Sequence, residues 1–180
     1  DVESNAGMTG KEGQNYVIFP VVADDIYGAG HSGAGISVGT NGISIYEQAS
    51  SYCPAILVYE MPIDDWVHIT LVYNDKTPSL YIFGELVATG QTSIKDVHPS
   101  AGYFNDSGIQ LGGIGGGEFG NSSTNKNYYT GWLDEVRFYD RPLSGDEIVE
   151  NIQTPITSSE QNGLIGYWRF DENNGSAAND

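Results

Sequence analysis

One cysteine, Cys53, is all the sequence holds, so no disulfide can close within the chain, and zinc-finger and Cys-x-x-Cys chemistry are excluded with it. Basic side chains are scarce: seven Lys and Arg stand against 24 Asp and Glu, a net charge of -17. An excess of that sign repels a polyphosphate backbone, so nucleic acid is not an expected partner. Long hydrophobic runs are missing too. The longest apolar segments, 16–23 and 55–59, have the length of strands, well short of the roughly 18 residues that mark a membrane-spanning helix. The opening residues, Asp1-Val2-Glu3-Ser4, carry neither the basic nor the apolar part of a signal peptide.

What is present suits one folded domain. A chain of 180 residues, 39% hydrophobic with 24 glycines, can bury a core and has no room for a second full domain. Most apolar segments are short, rich in Val, Ile, Tyr and Phe, and separated by Gly, Asn, Asp and Ser, which predicts antiparallel β structure. Strands are expected at 15–21, 35–38, 43–47, 55–59, 66–73, 80–83, 86–89, 109–111, 130–139 and 164–170. Thr40-Asn41-Gly42 and Phe83-Gly84-Glu85 supply hairpin turns that need positive φ. In 66–73 both alternate faces are apolar, which predicts a central strand covered on both sides. One short helix is expected at 144–153, where Ser144 stands three residues ahead of Glu147 as a capping box and Ile148, Val149 and Ile152 follow. Without alternating helices there is no parallel sheet, so the fold class is all-β, a two-sheet antiparallel sandwich or jelly roll. The stretches 23–34 and 112–129 read as long loops, the places where binding sites gather.

Catalytic signatures are weak. Gly115 to Gly120 satisfies G-x-G-x-x-G, but polar residues follow where a dinucleotide site needs a helix N-terminus. His31, His68 and His98 are far apart in sequence and none has zinc-ligand spacing; His68, inside a strand, reads as a hydrogen-bonded structural residue. There is no G-x-S-x-G elbow, and Cys53 precedes Pro54 in an apolar setting that disfavours a thiolate. A retaining glycosidase needs two carboxyl groups about 5–5.5 Å apart, whereas the strand-borne acids Asp134 and Glu135 are adjacent and point to opposite faces. The chain therefore reads as no enzyme.

Aromatic residues make up 12% of the chain, and several fall in or beside polar loops. A pyranose offers a flat C–H face to an aromatic ring and hydroxyls to Asn and Asp. Tyr52, Tyr128 and Tyr129, with Asn125 and Asp106 as polar partners, are the candidate ligand-binding residues, the competing role of such aromatics being to cover the ends of the sandwich. Asp134 is the candidate metal ligand. Strand alternation would place it in an apolar row with Trp132, Val136 and Phe138, a costly position for a carboxylate without a partner. That partner is either an arginine (Arg137, Arg141 or Arg169) or N–H donors, or else a calcium ion, which gathers six to eight oxygens. The run Asp171 to Gly175 lacks the spacing of an EF-hand.

Several runs taken together are more specific. His31 to Glu47, Trp66 to Tyr73, Leu80 to Val87, Gly131-Trp-Leu-Asp-Glu-Val-Arg-Phe-Tyr139 and Leu143-Ser-Gly-Asp-Glu-Ile148 resemble, in this order, the laminin-G-like, concanavalin A-like lectin/glucanase jelly-roll superfamily. The resemblance covers about residues 10–152. It implies two antiparallel sheets in a non-catalytic extracellular module, secreted or at the cell surface within a larger multidomain protein. Such modules bind glycans or cell-surface and matrix proteins, often with calcium, and by this resemblance Asp134 is the position that reaches the metal. The family's usual opening text stands here at the end, as Leu164-Ile-Gly-Tyr-Trp-Arg-Phe-Asp-Glu172. The expected organisation is a domain over 1–153 without those opening strands, a linker over 154–163, and a strand region over 164–180 resembling the start of a repeat and packed on the same sandwich. The functional expectation is a calcium-assisted carbohydrate-binding or adhesion module. Its alternative is a structural or assembly module that binds another protein chain, with self-association by strand addition through the C-terminal strand.

Overall fold

A computed structural model describes residues 15–100, 103–104, 110–118, 126–154, 156 and 162–172. In chain order the elements are β1 (Tyr16–Phe19), α1 (Asp24–Tyr27), β2 (His31–Gly39), β3 (Gly42–Gln48), β4 (Ala55–Glu60), β5 (Ile69–Asn74), β6 (Thr77–Ile82), β7 (Glu85–Thr89), β8 (Asp96–Pro99), β9 (Tyr103–Phe104), β10 (Gln110–Ile114), β11 (Gly116–Glu118), β12 (Lys126–Tyr128), β13 (Val136–Tyr139), α2 (Gly145–Gln153) and β14 (Leu164–Trp168). The fold is all-β, with two main, predominantly antiparallel sheets, as the segment pattern predicts. A nine-stranded sheet runs β11-β12-β1-β2-β3-β4, with β8, β9 and β10 joined to it; β5-β6-β7 form the second sheet and β13-β14 a separate pair. Two short pairings are parallel, β1 with β12 and β2 with β8.

The core lies between the two main sheets. Val38 of β2, Ile43 and Ile45 of β3, and Ile56 and Leu57 of β4 pack with Leu80 and Ile82 of β6. Full burial of such a side chain contributes roughly 1.5–3 kcal/mol, so this cluster is the main hold on the sandwich. Residues alternate across β3, and Tyr46 turns to the other face, where it joins Tyr16, Phe19 and Ala55. Both faces of β3 are therefore buried along its whole length.

Several boundaries differ from the sequence expectation, each for a physical reason. The central covered strand is β3 rather than 66–73: β5 begins at Ile69, ends one side of its three-stranded sheet, and leaves Trp66 60% exposed. The stretch 23–34 is not one loop. It holds α1, a second helix of four residues, and the first half of β2, whose small residues hide the alternation while β3 and β8 flank it. Likewise 112–129 contains the end of β10, then β11 and β12. Its glycines lower strand propensity but admit close packing, since a Cβ on Gly117 would lie 2.6 Å from the ring of Phe19.

The turns also redistribute. At the β2–β3 turn the Gly39–Gly42 pair encloses Thr40 and Asn41, neither of which has positive φ. The paired positive φ angles of a type I′ hairpin fall instead at Asp75 (45°) and Lys76 (64°), and at Phe83 (49°) and Gly84 (84°) as expected. Helix α2 carries the complete capping box: Ser144 Oγ accepts from Glu147 N at 3.3 Å, and Glu147 Oε2 accepts from Ser144 N at 2.8 Å. Ile148 is buried, and Val149 lies over the Phe83-Gly84 turn, where its Cγ2 would be 2.9 Å from a Cβ on Gly84. Strand β14 pairs antiparallel with β13 in the same chain, Val136 opposite Trp168, and Phe138 meets the Trp168 ring edge-on at 5.8 Å.

Candidate functional site

Alternation along β3 sends Ile43, Ile45 and Glu47 to the inner face, so the interior row ends in a carboxylate with no accessible surface. Burying that charge is costly unless donors meet it. Three hydroxyls do: Ser93 Oγ donates to Oε2 at 2.6 Å, Tyr52 O–H to Oε2 at 3.2 Å, and Tyr73 O–H to Oε1 at 3.1 Å. A tight turn sets Tyr52 in place, with Ala49 and Tyr52 exchanging backbone hydrogen bonds around Ser51 at φ 57°. Burial first and the Glu47 charge second push both phenols above their usual range, Tyr73 well above it. Lys95 Nζ sits 5.2 Å from the Tyr52 ring centroid. Tyr52, a candidate ligand residue from the sequence, thus has its hydroxyl committed to Glu47.

The other two candidate tyrosines lie on the far side of β1. Tyr128 ends β12, paired with Tyr16 and Gly116, and is 46% exposed. The chain then turns at Gly131, which the Tyr129 ring crowds so closely that a Cβ would stand 2.4 Å from its hydroxyl. Tyr129 O–H donates to the Trp132 carbonyl at 3.4 Å, and Thr130 N donates to Asn15 Oδ1 at 2.8 Å, while Asn15 Nδ2 donates to Val38 O of β2. This pinned segment carries Trp132 at 84% exposure. Asn125 and Asp106 lie outside the described residues.

Asp134 is exposed and stands before β13, not within it. Glu135 adopts φ 53°, which breaks the alternation, so the apolar row Trp132, Asp134, Val136, Phe138 does not form. The arginines take other acids. Arg137 Nη2 and Tyr167 O–H both donate to Glu135 Oε2, with Arg169 Nε 3.9 Å from Oε1, and Arg141 clasps Glu147 with both Nη atoms. Asp134 Oδ1 accepts from Glu135 N at 3.0 Å, so of the two non-metal partners considered, the N–H donor is the one observed. Among the described residues no three His, Cys, Asp or Glu side chains gather as a metal site, and Asp134 brings one carboxylate only.

Sequence reasoning missed a further cluster. Parallel pairing of β2 with β8 sets His31 opposite Asp96 and Gly33 opposite His98, so both imidazoles share one face. His31 Nδ1 lies 2.8 Å from His98 Nε2, and Tyr27 of α1 stacks on His98 at 3.9 Å between centroids. Burial, then the neighbouring His31, push His98 below its ordinary value, and Asp96 opposes them. Sixty-seven residues separate the pair, and only the strand register could have joined them. His68, expected to be hydrogen-bonded, keeps a buried Nδ1 without a partner among the described residues.

The two-sheet sandwich defines the class, an all-β module. A family model described as the Concanavalin A-like lectin/glucanases superfamily, of laminin-G type, matches residues 13–149, and the chain belongs to that superfamily. Among solved structures the chain is similar to an S-layer domain-containing protein (residues 221–444) from Clostridium thermocellum ATCC 27405, at 23% identity and a TM-score of 0.34. That match covers 64% of this chain and 54% of the other, so the chain spans about half the length of that structure. No curated protein matches the chain. Among the described residues, no helix is long and apolar enough to cross a membrane.

Proposed function

We propose that this chain is a non-catalytic carbohydrate-binding or adhesion module, secreted or displayed at the cell surface as part of a larger multidomain protein. Its ligand is a glycan, free or carried on a cell-surface or matrix protein. The observation that carries the reading is a ledge that bears two exposed aromatics, Tyr128 at 46% and Trp132 at 84%, on a segment pinned by Asn15. An exposed aromatic on a pinned backbone offers the stacking surface a pyranose needs. Family membership supports the same reading. The non-catalytic part is supported by the state of the acids: Glu47 is closed in by three hydroxyls and Glu135 is held by Arg137 and Tyr167.

Calcium enters the proposal through Asp134, with carbonyl and water oxygens completing a shell that one carboxylate cannot fill. A glycan array with and without chelator tests the whole reading. Binding that Trp132→Ala or Tyr128→Ala abolishes, in proteins that melt as the parent does, supports it; wild-type binding by both variants rejects the ledge. In the strand-addition form of the assembly alternative, 164–170 would be donated to a neighbour, whereas β14 is paired with β13 inside the chain. Ending the chain at Gln161 should accordingly lower the melting temperature of the monomer rather than dissolve an oligomer.

A further inference from the structure

We propose that His31 and His98 form a bidentate site for a divalent transition metal of tetragonal preference, copper(II) above all. The site is separate from the aromatic ledge and from Asp134, and it uses a different chemistry. Imidazole nitrogens suit copper, nickel and zinc, whereas calcium takes oxygen.

The geometry discriminates among these metals. The 2.8 Å contact is a hydrogen bond, so a metal ion must displace the shared proton and turn the rings until both nitrogens face it. At that spacing, with metal–nitrogen bonds of about 2.0–2.1 Å, the angle at the ion is about 85–90°. That is the cis angle of a square-planar or tetragonal ion, the preference of copper(II) and nickel(II). A tetrahedral zinc ion would need the nitrogens about 3.3 Å apart, so the rings would also have to separate. The surroundings keep the two rings side by side. His31 and His98 sit on paired strands of the large sheet, and Tyr27 stacks nearly parallel to His98, at 10° between planes. Helix α1, which carries Tyr27, is tied down by Asp24, whose two carboxylate oxygens accept from Ser50 N at 2.8 and 3.0 Å. Both imidazoles are partly exposed, so an ion can reach them and water can fill its remaining positions. Asp96 stands opposite His31 in the ladder, its charge shared with Lys76 at 2.6 Å. Copper leads the choice because divalent affinities for nitrogen sites peak there.

The test is titration of the full chain with copper(II), read by electron paramagnetic resonance and by the histidine ring signals in NMR. One ion should bind with superhyperfine structure from two equatorial nitrogens, broadening His31 and His98 first. His31→Gln and His98→Gln should each weaken binding by roughly tenfold or more with unchanged circular dichroism, and zinc should bind more weakly than copper and nickel. Oxygen-only copper signals in the wild-type protein, or broadening that starts elsewhere, would reduce the pair to a hydrogen bond and overturn the proposal without needing either variant. Its failure leaves the glycan reading untouched, since the array depends on neither histidine.

Discussion

Glu47 and Glu135 are both held by a tyrosine hydroxyl, yet their surroundings differ throughout. Glu47 ends the inner row of β3, has no accessible surface, and is satisfied by three neutral hydroxyls. Glu135 precedes β13, has a side chain 40% exposed, and is held by Arg137 with Arg169 nearby. In the interior a neutral donor shell spares the desolvation of a second ion, which buried salt bridges must overcome. Around Glu135 water reaches the carboxylate and screens the pair in part, although the Arg137 side chain is only 11% exposed. The two sites are therefore expected to answer differently to the same truncation.

The largest effect is expected at Glu47. Glu47→Ala takes away the acceptor that three hydroxyls share and leaves a void in the interior, and should cost roughly 3 kcal/mol or more, while Glu135→Ala, which leaves Arg137 short of one partner, should cost about 1–2 kcal/mol. Urea denaturation measures both; equal losses would end the distinction between the two sites. Within the Glu47 shell the next contrast is between its tyrosines. Tyr73→Phe removes a donor whose ring packs against the main core cluster and should cost about 1–2 kcal/mol. Tyr52, which lies in a turn and is partly open to water, should cost less, and the reverse order would mean that Tyr52 is the structural anchor.

Asp134 sharpens the comparison from outside both networks, because it is an acid with no cation of its own among the described residues. If calcium takes it, excess calcium should raise the melting temperature by a few degrees, and Asp134→Asn should remove most of the rise, since a ligand that binds only the folded state stabilises it by mass action. Identical melts in calcium and in chelator would reject that part of the proposal.

Much of this was legible in the sequence, and the reasons for the rest are specific. The fold class followed from short β-rich segments between turn residues, and α2 from its capping box, because both signals are local. The argument that a carboxylate ending an apolar row must find partners was sound, but it belonged to Glu47: Ile43-Ser-Ile-Tyr-Glu47 carries the alternation intact, whereas the row through Asp134 is broken by the positive φ of Glu135. Nothing in the residue types at 134–135 announces that break. Strands built on glycine, such as β11, were invisible because their stability lies in backbone pairing and in Phe19 filling the space above Gly117. The His31–His98 pair required the β2–β8 register, which no local pattern encodes.

The smallest effect concerns a third carboxylate, at the start of α2, and it tests how much surface charge contributes. Hydrogen bonds from Arg141 first, then from the backbone and side chain of Ser144, hold Glu147 well below its ordinary carboxyl value, at about 2. A carboxylate whose folded value is depressed contributes fully above its unfolded value, near 4.5, and loses that contribution as pH falls through about 2. Glu147→Gln keeps an acceptor for the capping box but removes the charge that Arg141 clasps. The melting temperature of the parent should therefore exceed that of the variant by a small, constant margin from neutral pH down to about 5, and the margin should close between there and about 2. Added salt should narrow it at every pH, because the pair is open to solvent and the Debye length is about 10 Å at 0.1 M. A margin that persists unchanged into acid would assign the stabilisation to the second accepting oxygen, which glutamine lacks, rather than to the charge, and would place α2 with the hydroxyl-bonded Glu47 network instead of with the Glu135 clamp.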